Sequence, residues 1–296
     1  MSSRFVFAAS LSLAVILAAG CGKDQAKGKP GDKPVAQEAL LIHVGGTMHP
    51  AIEELCKLYT AETGQKVEIN KNDSGALMAA IEQTKKGDIY VAHDPFPVRM
   101  EKQGLAEKTY LVASLTPVIV VKKGNPKGIK GIQDLTRDDI KVGLTDEKYS
   151  TLGWILPVVF KKAGIDEAMG RKNVARARSG GEMANSVMVG ANDAAIVWNA
   201  VAFNRKDGLD AIEIYPQFRP DAKADAISSA TYGTLDISRV AVAAQILKCS
   251  KQPENARKLA ELINGERGRA VFARHGFSVA PAAPATDASV DKPAAE

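Results

Sequence analysis

Short apolar runs alternate with helical patterns along most of this chain. The runs 39–44, 65–70 and 88–92 have the length and composition of strands. A helix is predicted after each of the first two runs, and the second of these helices, 75–86, ends before Gly87. Strands that alternate with helices in this way are typical of α/β proteins with a largely parallel sheet.

The alternation continues in the second half of the chain. The strongest β run, 116–126, is followed by further predicted elements. These are a strand at 140–145, a helix at 151–164 bent at Pro157, a helix at 181–190, strands at 194–198 and 210–216, and a helical segment at 253–277. The predicted folded body, residues 39 to 280, is long enough for two lobes.

Both ends of the chain differ from this body. Residues 1–20 join a basic start at Arg4 to an apolar run too short to span a membrane, and they end in small residues before Cys21. This pattern resembles a bacterial lipoprotein signal peptide, with Cys21 as the lipidated first residue of the mature chain. The alternative is an ordinary cleaved signal peptide. Residues 21–38 predict a flexible tether, and residues 281–296 predict a disordered Pro/Ala tail.

Charge and cysteine content narrow the classes of partner. The formal net charge of +5 falls by one when residues 1–20, with Arg4, are removed. Basic residues are mixed with acidic ones and form no stripe, so no nucleic-acid partner is expected. Beyond Cys21, only Cys56 and Cys249 remain. They are expected either to pair in an oxidising compartment or to stay reduced, with Cys56 on a buried helix face.

Polar turns follow three of the predicted strands. Each turn places a hydroxyl group or a glycine at the start of a helix, and the residues are Gly46, Thr47, Ser74, Gly75, Ser150 and Thr151. Ligands of open parallel sheets bind at such turns, where hydroxyl and backbone N–H groups donate hydrogen bonds to an oxyanion. A nucleotide P-loop is not expected, because no Lys-Ser or Lys-Thr pair follows the glycines. The alternative is that the hydroxyls only cap their helices.

Four short motifs carry a resemblance to a known family: GGTMHP at 45–50, GDIYVAHD at 87–94, AIVW at 195–198 and RHGFSV at 274–279. In their order and spacing they resemble the periplasmic molybdate/tungstate-binding proteins. These are type 2 periplasmic substrate-binding proteins of ABC importers, here in a lipoprotein form. The resemblance extends from about residue 40 to residue 278.

The resemblance implies a two-lobed α/β fold, in which each lobe is a mostly parallel sheet flanked by helices and the ligand cleft lies between the lobes. Lobe 1 is expected to contain residues 39–113 and 230–280, and the inserted lobe 2 residues 114–225. The polar turns are then expected to contact the anion. Trp198 occupies the place of a tyrosine whose hydroxyl reaches the anion in the family. Glu182 is expected either to add a carboxylate ligand or to be a solvated glutamate in the first turn of a helix.

The function implied is that of a monomeric solute-binding protein in the periplasm or at the cell surface, attached to the membrane only by its lipid. It would capture a tetrahedral oxyanion, molybdate or tungstate, by hinge closure and deliver it to an ABC permease of the inner membrane. No cofactor and no catalysis are expected.

The sequence leaves other hypotheses about the function open. The same fold could bind sulfate, phosphate, another oxyanion or ferric iron. A different class would be a surface-tethered hydrolytic enzyme that uses His93 and Asp94 as an acid–base pair. A metal site at His49, His93 and Asp94 is disfavoured by their spacing. Asp94 before Pro95 instead predicts a helix N-cap.

Overall fold

The computed structural model describes residues 38–148, 150–229 and 233–279, which fall within one compact unit. The expected signal peptide (1–20), Cys21 and the tail (281–296) lie outside the described residues, as does the tether 21–38 apart from its last residue.

Within these ranges the chain forms strands and helices that alternate as expected. The strands are β1 (Leu40–Gly45), β2 (Val67–Asn72), β3 (Ile89–His93), β4 (Ala106–Leu115), β5 (Pro117–Lys122), β6 (Val142–Thr145), β7 (Ala175–Ala177), β8 (Ala194–Trp198), β9 (Leu209–Glu213), β10 (Ile227–Ser229), β11 (Gly233–Leu235) and β12 (Val240–Leu247). The helices are α1 (His49–Thr63), α2 (Ser74–Thr84), α3 (Phe96–Lys102), α4 (Thr151–Lys162), α5 (Asp166–Arg171), α6 (Gly180–Met188), α7 (Asn199–Phe203), α8 (Pro253–Asn264) and α9 (Glu266–Arg274).

Two five-stranded sheets organise the molecule. The first has the strand order β2-β1-β3-β12-β4 and the second the order β7-β6-β8-β5-β9. In each sheet two pairings are parallel and two are antiparallel, because one strand, β12 or β5, runs against the other four. Four of the five strands therefore point the same way, as the expectation of mostly parallel sheets requires.

Helices cover both sheets and complete two lobes. Helices α1, α2, α3, α8 and α9 pack on the first sheet, and α4, α6 and α7 on the second. Strands β8 and β12 are buried along their whole length. Continuous apolar strands of this kind are typical of sheets covered on both faces. We call the first sheet with its helices the first lobe, and the second sheet with its helices the second lobe.

The chain passes from the first lobe to the second between β4 and β5, where Thr116 is the only intervening residue. Asn199, at the start of α7, makes two hydrogen bonds with the backbone of Thr116. Its Oδ1 accepts a hydrogen bond from Thr116 N (3.1 Å), and its backbone N–H donates to Thr116 O (2.8 Å). The chain returns towards β12 after the small antiparallel pair of β10 and β11.

Some predicted elements need correction. Strands β4 and β12 were not expected, although together with β3 they build one side of the first sheet. The helical segment predicted at 253–277 is two helices, because Gly265 between α8 and α9 is extended (φ −68°, ψ 178°). Asp94 is not a helix N-cap, since α3 begins later, at Phe96.

Candidate functional site

Three parallel strands in each sheet have their carboxyl ends at one cleft between the lobes. In the first lobe these are the neighbouring strands β2, β1 and β3, and in the second lobe β7, β6 and β8. The turns that follow them surround a cavity of about 780 Å³. Its lining includes the predicted residues Gly46, Thr47, Ser74, Gly75, Ser150, Thr151 and Trp198. The fold thus brings together seven of the eight predicted ligand-binding residues.

The first-lobe wall is built by close packing of Gly45 against Ser74. A Cβ on Gly45 would overlap Ser74 Oγ and Met48 Cε, so only glycine lets the end of β1 approach the start of α2 this closely. Ser74 is only 7% exposed, and Tyr90 Oη fixes its backbone by donating to its carbonyl oxygen (2.8 Å). The hydroxyl of Ser74 is therefore held in a defined place at the cleft.

The cleft hydroxyls do not serve as helix caps. The N-cap residues of helices α1, α2 and α4 are Met48, Asp73 and Ser150, and in the described part of the chain none of these residues makes a side-chain capping bond. The first helical bond of α2 runs from Leu77 N to Asp73 O (3.0 Å), so the N–H groups before Leu77 are outside the helical bonding of α2. The capping alternative for the three turns is not realised.

Ser150 and Thr151 form the second-lobe side of the same arrangement. Gly153 lets the preceding turn lie against α4, because a Cβ there would sit 2.7 Å from the backbone of Glu147. Thr151, 7% exposed, donates from Oγ1 to the carbonyl oxygen of Asp94 in the first lobe (3.1 Å). Its hydroxyl proton is therefore engaged within the protein. Ser150 lines the cleft beside it. We refer to Thr47, Ser74 and Ser150 as the hydroxyl cradle.

Glu182 does not line the cleft. It is exposed, and its carboxylate accepts a hydrogen bond from Ser179 Oγ (3.1 Å), while Ser179 Oγ accepts from Glu182 N (3.2 Å). This is a side-chain capping arrangement at the start of α6, similar to a capping box. The expectation that Glu182 adds a carboxylate ligand is replaced by the alternative, a glutamate of the first helical turn.

Trp198 and His93 meet across the cleft. Trp198 ends β8 and is 4% exposed, and its ring centroid lies 6.0 Å from that of His93. His93 Nδ1 is 2.8 Å from the carbonyl oxygen of Asp94. Since a carbonyl oxygen only accepts, this nitrogen carries the proton. Burial lowers the pKa of His93, which favours the neutral imidazole.

His93 and Asp94 do not form the acid–base pair that the hydrolytic-enzyme hypothesis requires. One carboxylate oxygen of Asp94 accepts from Ala241 N (2.9 Å) and so ties the end of β3 to β12. The imidazole instead contacts the Asp94 backbone. Among the described residues no cluster of three or more His, Cys, Asp or Glu side chains could hold a metal ion.

Four cationic side chains line the cleft, and only two of them were expected from the sequence. Lys71 and Lys148 belong to the expected turns, whereas Arg178 and Arg205 were not expected. The only carboxylate in this lining is Asp73, whose Oδ2 lies 4.0 Å from Arg178 Nη2 across the lobes. A cavity with this excess of positive charge attracts anions.

Two general features of the described residues complete the description. No helix in them is long and apolar enough to cross a membrane. Cys56 and Cys249 are both free thiols, so the disulfide alternative does not hold. Burial raises the pKa of the Cys56 thiol to about 12, which makes this buried group unreactive.

Comparison with known proteins agrees with this architecture. The family model described as "Bacterial extracellular solute-binding protein" matches residues 40–278. A putative binding protein of Haemophilus influenzae is 23% identical over 239 residues, which cover 80% of this chain and 90% of that protein. The molybdate-binding protein ModA of Mycobacterium bovis is 22% identical over 263 residues, 87% of this chain and 91% of its own length.

A solved structure shares the fold. The substrate-binding domain of a putative molybdenum ABC transporter from Clostridium difficile superimposes with a TM-score of 0.64 at 19% identity, covering 82% of this chain and 99% of that domain. The match of the family model to nearly the whole described body decides the assignment. This chain belongs to the bacterial extracellular solute-binding proteins.

Proposed function

We propose that this protein captures a tetrahedral oxyanion, molybdate or tungstate, in the cleft and delivers it to an ABC permease. The observation that carries the proposal is that three helices, α1, α2 and α4, start at one cavity without a side-chain cap. Hydroxyl and N–H donors at such starts bind a tetrahedral oxyanion by hydrogen bonds, assisted by the positive ends of the helix dipoles.

Binding is proposed to close the lobes over the anion. We place the lobe boundaries near residues 113 and 230, with hinges at Thr116 and in the segment that precedes β12. A hinge of a few residues between rigid lobes is sufficient for closure. Contacts that already join the lobes, such as Thr151 with Asp94 and Trp198 with His93, define the edge about which the cleft would narrow.

The proposed cellular location is based on the N-terminal sequence. The mature protein is proposed to start at the lipidated Cys21 and to act as a monomer in the periplasm or at the cell surface. A Cys21→Ala substitution then moves the protein from the membrane fraction to the soluble fraction of cells. Retention of this variant in the membrane fraction would argue against a lipid anchor.

A thermal-shift panel on the chain without residues 1–21 tests the ligand. The panel contains molybdate, tungstate, sulfate and phosphate at equal ionic strength. A ligand at about a thousandfold excess over its dissociation constant adds about 4 kcal/mol to the free energy of unfolding, which raises the midpoint visibly. The proposal predicts a shift with molybdate and tungstate. A shift with sulfate or phosphate alone would reassign the anion, and no shift with any of the four would contradict the proposal.

A further inference from the structure

Arg205 has the properties of a ligand-binding side chain outside the hydroxyl cradle. It follows α7 in the second lobe, lines the cleft and is half-buried. Its Nε donates to Asn185 Oδ1 (3.0 Å) and its Nη1 to the carbonyl oxygen of Val201 (3.3 Å). Both acceptors are neutral, so they orient the guanidinium group without balancing its charge.

Glycine at the start of α6 makes room for this guanidinium. Arg205 Nη2 lies 3.3 Å from the place that a Cβ on Gly181 would occupy. Gly180 and Gly181 also line the cleft, so the guanidinium rests at a wall without side chains. The partners of Arg205 are on α6 and α7, whereas the cradle residues lie at or just before the starts of α1, α2 and α4. Arg205 therefore marks a different part of the same cavity.

The charge of Arg205 has no acidic partner among the residues that the structure describes. No carboxylate in these ranges lies within 4.0 Å of its guanidinium, and burial alone lowers its pKa. An anion would balance the charge of this half-buried guanidinium group, and the guanidinium fork suits the two oxygens of a carboxylate. Asp73, the carboxylate of the lining, is placed beside Arg178 instead.

The size and surface of the cavity fit a ligand larger than a four-oxygen anion. The volume of about 780 Å³ falls in the range of pockets that hold small organic molecules. Phe96, Trp154, Trp198 and Val201 add apolar surface to the lining. Neutral donors, an apolar surface and a guanidinium group thus share one cleft.

We propose that Arg205 binds a second anionic group, so that the preferred ligand is a small organic molecule with a tetrahedral oxyanion ester at one end and a carboxylate at the other. This inference rests on the proposed function, because the tetrahedral group is assigned to the hydroxyl cradle. It deepens that function by naming the substrate class, in which the inorganic oxyanion occupies only one part of the site.

Calorimetric titration with three related probes tests the proposal. 3-Phosphoglycerate carries both anionic groups, glycerol 3-phosphate only the phosphate, and glycerate only the carboxylate. The unmodified chain is expected to bind 3-phosphoglycerate at least tenfold more tightly than either of the other two. Arg205→Gln is expected to abolish this advantage while the affinity for glycerol 3-phosphate stays within twofold.

Two further variants separate charge from structure. Lys206→Gln removes the same charge one residue away, outside the cleft lining, and is expected to keep the preference for 3-phosphoglycerate. Arg205→Lys keeps the positive charge but lacks the guanidinium fork, so it is expected to retain part of the preference for 3-phosphoglycerate. Thermal midpoints of all variants in the absence of ligand report whether each one is folded.

The outcomes separate this inference from the function on which it rests. Equal binding of 3-phosphoglycerate and glycerol 3-phosphate by the unmodified chain would overturn the inference. Binding of molybdate or tungstate without binding of 3-phosphoglycerate would also overturn it and would leave the proposed function standing. If no tetrahedral anion binds, inorganic or organic, the proposed function fails as well.

Discussion

Thr151 Oγ1 donates a hydrogen bond of 3.1 Å to the carbonyl oxygen of Asp94, and this bond joins the two lobes at the edge of the cleft. Thr151 begins α4 in the second lobe, and Asp94 follows β3 in the first. The same carbonyl oxygen accepts from His93 Nδ1 (2.8 Å). One backbone oxygen therefore contacts the second lobe through Thr151 and also orients the imidazole that faces Trp198.

The Thr151 bond predicts a measurable contribution to stability. Thr151→Val keeps the shape of the side chain and removes the hydroxyl, so the free energy of unfolding is expected to fall by about 1 kcal/mol. Urea unfolding measures this change. Thr136→Val is the control, because its hydroxyl is exposed and bonds only locally, and a shift within about 0.5 kcal/mol is expected there. If both variants lost the same free energy of unfolding, the bond between the lobes would contribute no more to stability than a local surface hydrogen bond.

Ser74 is the cradle residue whose loss is expected to weaken binding most clearly. Ser74→Ala removes a buried hydroxyl donor at the start of α2, and the binding free energy is expected to weaken by about 1–3 kcal/mol, the value of a hydrogen bond to a charged group. Titration calorimetry with the anion that stabilises the protein measures it. Thr84→Ala, at the exposed end of the same helix, should bind like the unmodified protein. Unchanged affinity in Ser74→Ala would refute the assignment of the cradle.

The two neighbouring glycines at the end of β1, Gly45 and Gly46, are expected to respond differently to the same change. Gly45→Ala places a methyl group against Ser74 Oγ and Met48 Cε, so a loss of about 1–3 kcal/mol in stability and weaker anion binding are expected. Gly46→Ala meets no atom within 4 Å and should leave stability unchanged. Thermal unfolding of both variants tests this contrast. Similar midpoints would contradict the close packing of β1 against α2.

Asp94 predicts a pH dependence with a definite sign. Burial raises the pKa of Asp94 from 3.8 to about 6. The hydrogen bond from Ala241 and the charge of Arg239 lower this pKa, whereas the charges of Glu101 and Asp236 raise it. Between these two values the folded state binds more protons than the unfolded state. The free energy of unfolding therefore falls as pH rises from about 4 to about 6, by at most about 3 kcal/mol.

The Asp94→Asn variant isolates this effect. Asparagine cannot ionise, but its Oδ1 can still accept from Ala241 N. The variant is expected to be more stable than the unmodified protein at pH 7.5 and equally stable at pH 4, as measured by urea unfolding at both values. A constant difference between the two proteins across this range would show that the charge of Asp94 is not the cause.

The sequence predicts much of the first lobe because its elements have simple patterns. Strands β1, β2 and β3 lie within two residues of the predicted runs 39–44, 65–70 and 88–92. Strand β4 was missed because it lies at the sheet edge, where the polar residues Glu107, Lys108 and Thr109 interrupt the apolar pattern. Strand β12 was missed because three of its eight residues are alanine, a weak strand former.

The candidate site was predicted where residues lie at strand ends and missed where only the fold brings them close. Ser74 and Ser150 follow predicted strands, so their turns could be assigned to the cleft from the sequence. Arg178 follows the short strand β7, and the turn after a strand was a signal that could have revealed it. Arg205 follows α7 and reaches the cleft only through packing against α6, which no local pattern contains.

Intrinsic tryptophan fluorescence gives the most direct test of anion capture in the cleft. The chain has two tryptophans, and both Trp154 and Trp198 line this cavity. Titration of the chain without residues 1–21 with molybdate, tungstate and 3-phosphoglycerate, against chloride at equal ionic strength, is expected to give a saturable change in emission with at least one oxyanion and none with chloride. The change should weaken in Ser74→Ala. Emission that stays constant with every anion, together with an unchanged thermal midpoint, would contradict capture of an anion between the lobes.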